Sequence, residues 1–129
     1  MTKKNQINYF YEFYDVKQIF NIIPCFGIQK GRFRHLVHGI NALIKKKDKY
    51  DFIVTRNIAF AYLASFFMKN IVIDIHHPPI NFISRIAINR FLSSTNIKKI
   101  ICNSEGTMFS ILKKTHSNEK IKVLHNGVR

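Results

Sequence analysis

Polar residues directly follow the end of each of four apolar runs in the sequence, and a glycine is included after the last run. They are Arg56, Asn57, His76, His77, Asn103, Ser104, His125, Asn126 and Gly127. Arginine, histidine, serine and asparagine side chains can hydrogen-bond to hydroxyl and phosphate oxygens, and histidine can also exchange a proton near neutral pH. The chemistry that these residues suggest is recognition of an oxygen-rich or phosphorylated ligand.

The run from Ile71 to Ile75 ends most sharply, because His76, His77 and two prolines follow it. A short β-branched run bounded by breakers is typical of a buried strand, and proline cannot continue the strand ladder. Consecutive strand residues point to opposite sides, so we expect at most one of the two histidines to face a cleft. Adjacent histidines also lack the spacing of a helical zinc site, and no metal site is expected.

Strands and helices must alternate if these run ends are to meet. Apolar patterning predicts strands at 18–23, 51–55, 71–75, 98–102 and 119–124, and helices near 33–44, 58–68, 80–92 and 105–115. This succession is typical of βαβ units with right-handed crossovers, and it predicts an α/β, doubly wound, Rossmann-like parallel sheet with helices on both faces. The carboxyl ends of parallel strands lie at one edge, where ligands bind. The alternative is that these loops are polar only because strand-to-helix loops generally are.

The last predicted helix has features of its own that suit an anion. Ser104 can serve as its N-cap and Glu105 complements the positive end of the helix dipole. The free N–H groups at such a helix start can bind phosphate. Asp74 lies inside a strand that looks buried, and the chain has only 7 acidic residues, so a carboxylate pair or a magnesium site is not expected.

Length and composition predict one domain over residues 1–129, with a net charge of +14 that favours an anionic partner. The partner could be nucleic acid, a phosphorylated small molecule or a membrane surface. The alternative is that the lysine-rich composition reflects an AT-rich coding sequence. Arginines are few and scattered, so specific nucleic-acid binding is not expected.

Other signals are absent from the chain. It has no G-x-G-x-x-G, no P-loop and no G-x-S-x-G motif, so no dinucleotide or other cofactor is expected. Cys25 and Cys102 lack metal-ligand spacing and are expected to be free thiols. The N-terminal residues do not form a signal peptide and no run is long enough to span a bilayer. These features predict a cytoplasmic protein.

Four segments, taken in order, resemble one known family. They are YDFIVTRN at 50–57, IVIDIHHPP at 71–79, IKKIICNSEGTM at 97–108 and EKIKVLHNGV at 119–128. Their order and spacing are similar to the N-terminal half of glycosyltransferase family 4, which comprises retaining, nucleotide-sugar-dependent enzymes of GT-B fold. The resemblance implies that residues 1–129 form a single, incomplete GT-B N-terminal domain, without the C-terminal domain that binds the donor.

The resemblance also implies roles for particular residues. His76 matches the histidine that lies beside the reacting sugar and is the implied catalytic residue. Substrate-binding positions on the same rim are Arg56, Asn57, His77, Asn103, Ser104, Asn126 and Gly127. The whole enzyme would transfer a sugar from a nucleotide-sugar donor to a glycan or lipid-linked acceptor, as in cell-envelope polysaccharide biosynthesis, without a metal. Alone, the chain is expected to be inactive or nearly so.

The alternative function is a non-catalytic, basic module that binds an anionic membrane surface or a phosphorylated ligand. The segment Ile80–Leu92, which carries Arg85 and Arg90 among apolar residues, could lie on the inner face of an acidic bilayer as a peripheral contact. It could equally be an ordinary helix that packs on the sheet.

Overall fold

The computed structural model describes residues 9, 11–13, 15, 17, 22–23, 30–31, 33–45, 50–112 and 118–125. In this part of the chain four helices and four strands have defined bounds, and residues 9 and 11–13 are also helical. In order they are α1 (Arg34–Lys45), β1 (Ile53–Thr55), α2 (Ile58–Ala64), β2 (Ile71–Ile75), α3 (Phe82–Ser93), β3 (Ile97–Cys102), α4 (Glu105–Leu112) and β4 (Ile121–Val123). The predicted alternation of strands and helices from residue 51 onward is confirmed, and the strands predicted at 51–55, 71–75, 98–102 and 119–124 each overlap an observed one. The strand predicted at 18–23 falls mostly outside the described residues, and Ile22 and Ile23, which are described, are not in a strand.

The four strands form one sheet in the order β1-β2-β3-β4, and every neighbouring pair is parallel. The register pairs Thr55 with Ile73, and Ile75 with Cys102, which in turn pairs with Val123. All four strands therefore end at the same edge, here called the carboxyl edge. The predicted α/β class is confirmed, and the sheet is consistent with a small Rossmann-like, doubly wound fold.

The two faces of the sheet differ in burial. Ile71, Ile73 and Ile75 alternate along β2 on one face and are buried in the core together with Ile100 and Phe91. Each fully buried side chain of this size contributes about 1.5–3 kcal/mol to folding. Right-handed crossovers between strands in this order place α2, α3 and α4 on that face. These three helices therefore form one layer against the buried face.

The opposite face of β2 carries Asp74, which is half-buried rather than enclosed. Its neighbours on that face are set by register, which pairs Val72 with Val54 of β1 and Asp74 with Ile101 of β3. Val54 is exposed and Ile101 is partly exposed. A carboxylate at this position is therefore accessible to solvent and to charged neighbours. The sequence, in which the other residues of the strand are apolar, predicted a buried position instead.

Helix α2 is shorter than predicted. It ends at Ala64, and the N–H groups of Phe66 and Phe67 bond to carbonyls three residues back, as in a tightened last turn. Asn70 then takes a left-handed conformation with φ of 56° before β2 begins. This turn leaves Phe66 and Phe67 exposed, so neighbouring elements do not cover the whole 58–68 segment. Phe66 instead lies under the guanidinium of Arg90, 4.4 Å from the ring centre.

Helices α1 and α2 pack closely because α1 carries a glycine at the contact. A Cβ placed on Gly39 would lie 3.0 Å from the backbone nitrogen of Phe60. A side chain at that position would push the two helices apart. The contact is relevant to the site because α2 begins directly after Arg56 and Asn57.

Candidate functional site

Three of the polar side chains at the carboxyl edge form one connected cluster. Arg56 Nε donates a hydrogen bond to Asp74 Oδ2 at 2.7 Å, and His76 Nε2 lies 3.0 Å from the same oxygen. The side chains are 71%, 18% and 26% exposed for Arg56, Asp74 and His76, so the carboxylate and the imidazole are partly enclosed beneath an arginine that reaches solvent. Arg56 follows β1, whereas Asp74 and His76 belong to β2 and its exit. The cluster therefore joins the ends of two neighbouring strands.

The register of the sheet accounts for this meeting. Because Thr55 is opposite Ile73, the next residue of each strand, Arg56 and Asp74, is also opposite. His76 stands two residues beyond Asp74 and so shares its side of the strand. His77, one residue further on, is exposed. The prediction that only one histidine faces the other polar groups agrees with this geometry.

Asp74 is ionised at neutral pH in this setting. Burial raises the pKa of its carboxyl, but the hydrogen bonds and positive charges of Arg56 and His76 outweigh that effect and hold the pKa below its ordinary value of 3.8. An ionised carboxylate can only accept hydrogen bonds. The proton between Asp74 and His76 must therefore be on Nε2 of the imidazole.

This hydrogen bond fixes what His76 can offer to a ligand. With Nε2 protonated, a neutral imidazole presents an unprotonated Nδ1 that accepts a hydrogen bond from a hydroxyl group. A protonated imidazole presents Nδ1–H, which can donate to an anionic oxygen. The carboxylate thus orients the ring.

Asp74 is the member of the cluster that the sequence reasoning missed. Its position in a largely apolar strand, without a second carboxylate nearby in the sequence, gives no indication of a carboxylate pair or a magnesium site. The signal that could have identified it is the spacing of Asp74 and His76, since residues two apart in a strand share a face. Asp74 is the last residue of β2 on that face, and His76 follows on the same face just beyond the end of the strand.

Asn57 lies at the carboxyl edge as predicted, but its side chain is engaged within the protein. Its Oδ1 accepts a hydrogen bond from Phe60 N at 3.0 Å, which makes it the N-cap of α2, and its Nδ2 donates to His35 O at 3.0 Å. Thr55 Oγ1 accepts from Asn57 N at 3.1 Å. Asn57 therefore ties the end of β1 to both α1 and α2, and it positions the neighbouring Arg56.

Asn103 and Ser104 form a similar capping arrangement at the end of β3. Ser104 Oγ accepts from Thr107 N at 3.2 Å, which confirms the predicted N-cap, and it also bonds to Thr107 Oγ1 at 3.1 Å. Thr107 Oγ1 donates to Asn103 Oδ1 at 3.1 Å, and Asn103 N donates to Ile75 O at 3.3 Å. These contacts fix the start of α4 beside the exit of β2.

Of the remaining predicted positions, the two that the structure describes, His77 and His125, are not hydrogen-bonded to this cluster. His77 and His125 are exposed. Asn126 and Gly127 lie outside the described residues. The structure therefore brings together Arg56 and His76, with Asp74 between them, and places Asn57, Asn103 and Ser104 around them as structural supports.

Cys102, at the end of β3, is an unreactive thiol. Its side chain is fully buried and its thiol is free. Burial, with a further contribution from the negative charge of Asp74, raises the pKa of the thiol to about 11. The sulfur is therefore protonated at neutral pH and is a poor nucleophile. The expected free thiol is confirmed for Cys102, whereas Cys25 lies outside the described residues.

Two further observations concern the described part of the chain. No group of three or more histidine, cysteine, aspartate or glutamate side chains is placed there to hold a metal ion. No helix there has the length and apolar character needed to cross a membrane. Compared with known proteins, the chain matches no family model, no curated protein and no solved structure. Any function must therefore be argued from the residues at the carboxyl edge.

Proposed function

We propose that this chain forms the acceptor side of a nucleotide-sugar glycosyltransferase site, with the cluster of Arg56, Asp74 and His76 at its centre. The observation that carries the proposal is the shared oxygen of Asp74, which holds both the imidazole and the guanidinium at the exit of an interior strand. The segments that resemble glycosyltransferase family 4 place a histidine at this strand end. The measured contacts supply a physical reason for that histidine to be oriented.

His76 would contact the sugar. Its Nδ1 is free to accept a hydrogen bond from a sugar hydroxyl because Nε2 is held by Asp74. An oriented acceptor of this kind favours one placement of the ring and positions the anomeric carbon. His76 is thus the residue whose replacement should most affect recognition of the sugar, as distinct from the phosphate.

Arg56 would contact the phosphate. Its Nε is bonded to Asp74, and within the described residues that is its one polar contact, so both Nη groups remain for a ligand. In glycosyl transfer, the bond between the anomeric carbon and the phosphate oxygen breaks while the acceptor oxygen bonds to that carbon. Negative charge develops on the departing phosphate, whose oxygen takes up the proton that the acceptor hydroxyl loses. A guanidinium and the N–H groups at the start of α4 would stabilise that charge.

On this proposal, a second domain binds the nucleotide base and ribose. The described residues contain the Arg56, Asp74 and His76 cluster but show no paired carboxylates beside it that could bind a ribose. Binding of a nucleotide-sugar to residues 1–129 is therefore expected to be weak and to depend mainly on its phosphate and sugar.

The test is an NMR titration of isotope-labelled protein with three probes: uridine diphosphate glucose, inorganic pyrophosphate and an uncharged methyl glucoside. We expect the sugar nucleotide and pyrophosphate to shift the side-chain signals of Arg56 and His76. Arg56→Gln should weaken both of these ligands. His76→Asn should weaken the sugar nucleotide more than pyrophosphate, and His38→Asn, which changes an exposed histidine on α1, should weaken neither.

The same titration separates the second candidate function, a non-catalytic module for phosphorylated ligands. If pyrophosphate and the sugar nucleotide bind equally, and His76→Asn weakens both to the same extent, the sugar contributes nothing and the glycosyltransferase proposal is wrong. If none of the probes perturbs Arg56 or His76, both functions are excluded for this cluster.

A further inference from the structure

The segment that leads from β2 into α3 exposes an unusual group of large apolar side chains. The group consists of Ile80, Phe82, Ile83 and Ile86, here called the apolar patch, and the first three of these side chains are 80%, 76% and 79% exposed. The buried side of the same helix is formed by other residues, Ala87, Ile88 and Phe91. The patch is therefore not needed for packing α3 on the sheet.

The apolar patch lies beside the candidate site. Helix α3 begins at the carboxyl edge, directly after the loop that starts with His76 and His77, and runs back toward the opposite edge. Its first two turns carry the patch. Whatever covers these side chains would consequently also approach the cluster of Arg56, Asp74 and His76.

The charge around the patch indicates what covers it. The segment 80–92 contains no acidic residue, and Arg85 is the charged residue among the patch side chains. Arg85 is exposed on the first turns of α3 itself. The carboxyl edge does have Glu105, at the start of α4, and the chain as a whole has a net charge of +14. Asp74 also lies at this edge, but Arg56 and His76 are bonded to its carboxylate. An apolar group with an exposed arginine among it, on a chain with this net positive charge, is complementary to an anionic lipid surface.

We propose that the apolar patch inserts into the interfacial region of an anionic bilayer, with Arg85 contacting lipid phosphates. The helix carrying it would lie on the membrane rather than cross it. If the proposed function holds, on which this last step rests, the site then opens at the bilayer surface and its acceptor is a lipid-linked molecule.

The first test measures co-sedimentation with vesicles of phosphatidylcholine alone and of phosphatidylcholine mixed with phosphatidylglycerol. We expect wild-type protein to sediment with the anionic vesicles. Phe82→Asp should reduce partitioning about tenfold or more, which is the loss expected when one large apolar side chain no longer inserts. The matched control is Phe67→Asp, because Phe67 is similarly exposed, at 67%, but lies at the opposite edge of the sheet. If both variants lose binding equally, attraction is purely electrostatic and insertion is excluded.

The second test does not depend on a charged replacement that could disturb folding. The sequence has no tryptophan, so Ile83→Trp introduces a single reporter into the patch. Anionic vesicles should shift its emission to the blue, and Phe67→Trp should show no shift. No shift at Ile83→Trp would overturn the proposal. Sedimentation velocity without lipid adds a third outcome: a wild-type dimer that Phe82→Asp dissociates would show that a second copy of the chain covers the patch instead.

These results are separable from those of the nucleotide-sugar titration. His76→Asn should bind vesicles as wild type does, because His76 is not part of the apolar patch. Failure of vesicle binding would leave the sugar titration unaffected. If the protein binds vesicles but His76 responds to none of the ligands, the proposed membrane contact stands and the proposed lipid-linked acceptor is contradicted.

Discussion

Replacing Asp74 by asparagine tests the centre of the candidate site most directly. The substitution keeps the size of the side chain and removes the charge that holds Arg56 and His76. The bond to half-buried His76 is of the kind that contributes about 1.5–3 kcal/mol when one partner is charged. The pair with the exposed Arg56 adds only about 0–1 kcal/mol. Since the asparagine carbonyl can still accept one bond, we expect Asp74→Asn to lower the free energy of unfolding by about 1–3 kcal/mol at neutral pH.

The pH dependence of this loss follows from the lowered pKa of Asp74. A carboxyl whose pKa is lower in the folded state contributes stability above its unfolded value, and that contribution disappears as pH falls through the folded value. The difference between wild type and Asp74→Asn should therefore be full at neutral pH. It should narrow once pH falls below the ordinary value of 3.8.

Urea unfolding at a series of pH values measures this difference, with Asp51→Asn as the control. Asp51 is an exposed aspartate outside the cluster, so the same chemical change there should leave the unfolding midpoint nearly unchanged. Nitrogen NMR of His76 gives a second readout: wild type should show the tautomer protonated on Nε2, and Asp74→Asn should shift the tautomer ratio. Equal stability of wild type and Asp74→Asn at neutral pH, with an unaltered tautomer, would refute the assignment of Asp74 as the orienting group.

Three further changes test the elements around the site. Asn57→Ala removes the side-chain acceptor for Phe60 N and should cost about 1 kcal/mol in urea unfolding, whereas Asn57→Asp should retain most of that stability as a helix cap. Gly39→Ala should destabilise the protein, because the added Cβ meets the backbone of Phe60. Alanine is otherwise favoured over glycine in helices by about 1 kcal/mol, so a more stable variant would contradict the close contact between the helices. In a Cys25→Ser background, Cys102 should resist iodoacetamide at neutral pH until urea unfolds the chain, as followed by mass spectrometry, since its pKa is raised to about 11; rapid labelling of the native protein would contradict its burial.

The strands were predictable from the sequence because short runs rich in isoleucine and valine recur between helix-like segments and end at polar residues. The segment Ile71–Ile75 coincides with β2, and the runs around it correspond to the other strands of the sheet. The end of α2 was not predictable from periodicity, since the apolar run continues through Phe66 and Phe67. Hydrophobicity alone could not tell that these two side chains turn outward after Ala64.

The candidate site was predictable only in part. Which polar residues reach the carboxyl edge follows from where each strand ends, and this placed Arg56 and His76 correctly at neighbouring strand ends. The link between them did not follow, because it depends on the register that sets Arg56 opposite Asp74. The apolar pattern of a strand opposes a slip of one residue but permits a slip of two, so it does not identify Arg56 as the residue opposite Asp74.

Register is also what connects the site to the rest of the fold. A slip of β1 against β2 by one residue would turn Arg56 away from the face that carries Asp74. The N-cap of Asn57 opposes such a slip, because it anchors the residue after Arg56 to α2 and, through His35 O, to α1. We therefore expect Asn57→Ala to weaken the hold of Arg56 on Asp74 as well as the stability of α2. The NMR signal of the Arg56 Nε–H should move toward its unbonded position in that variant and not in Asn57→Asp. An unchanged Arg56 signal in Asn57→Ala would show that strand pairing alone positions the arginine.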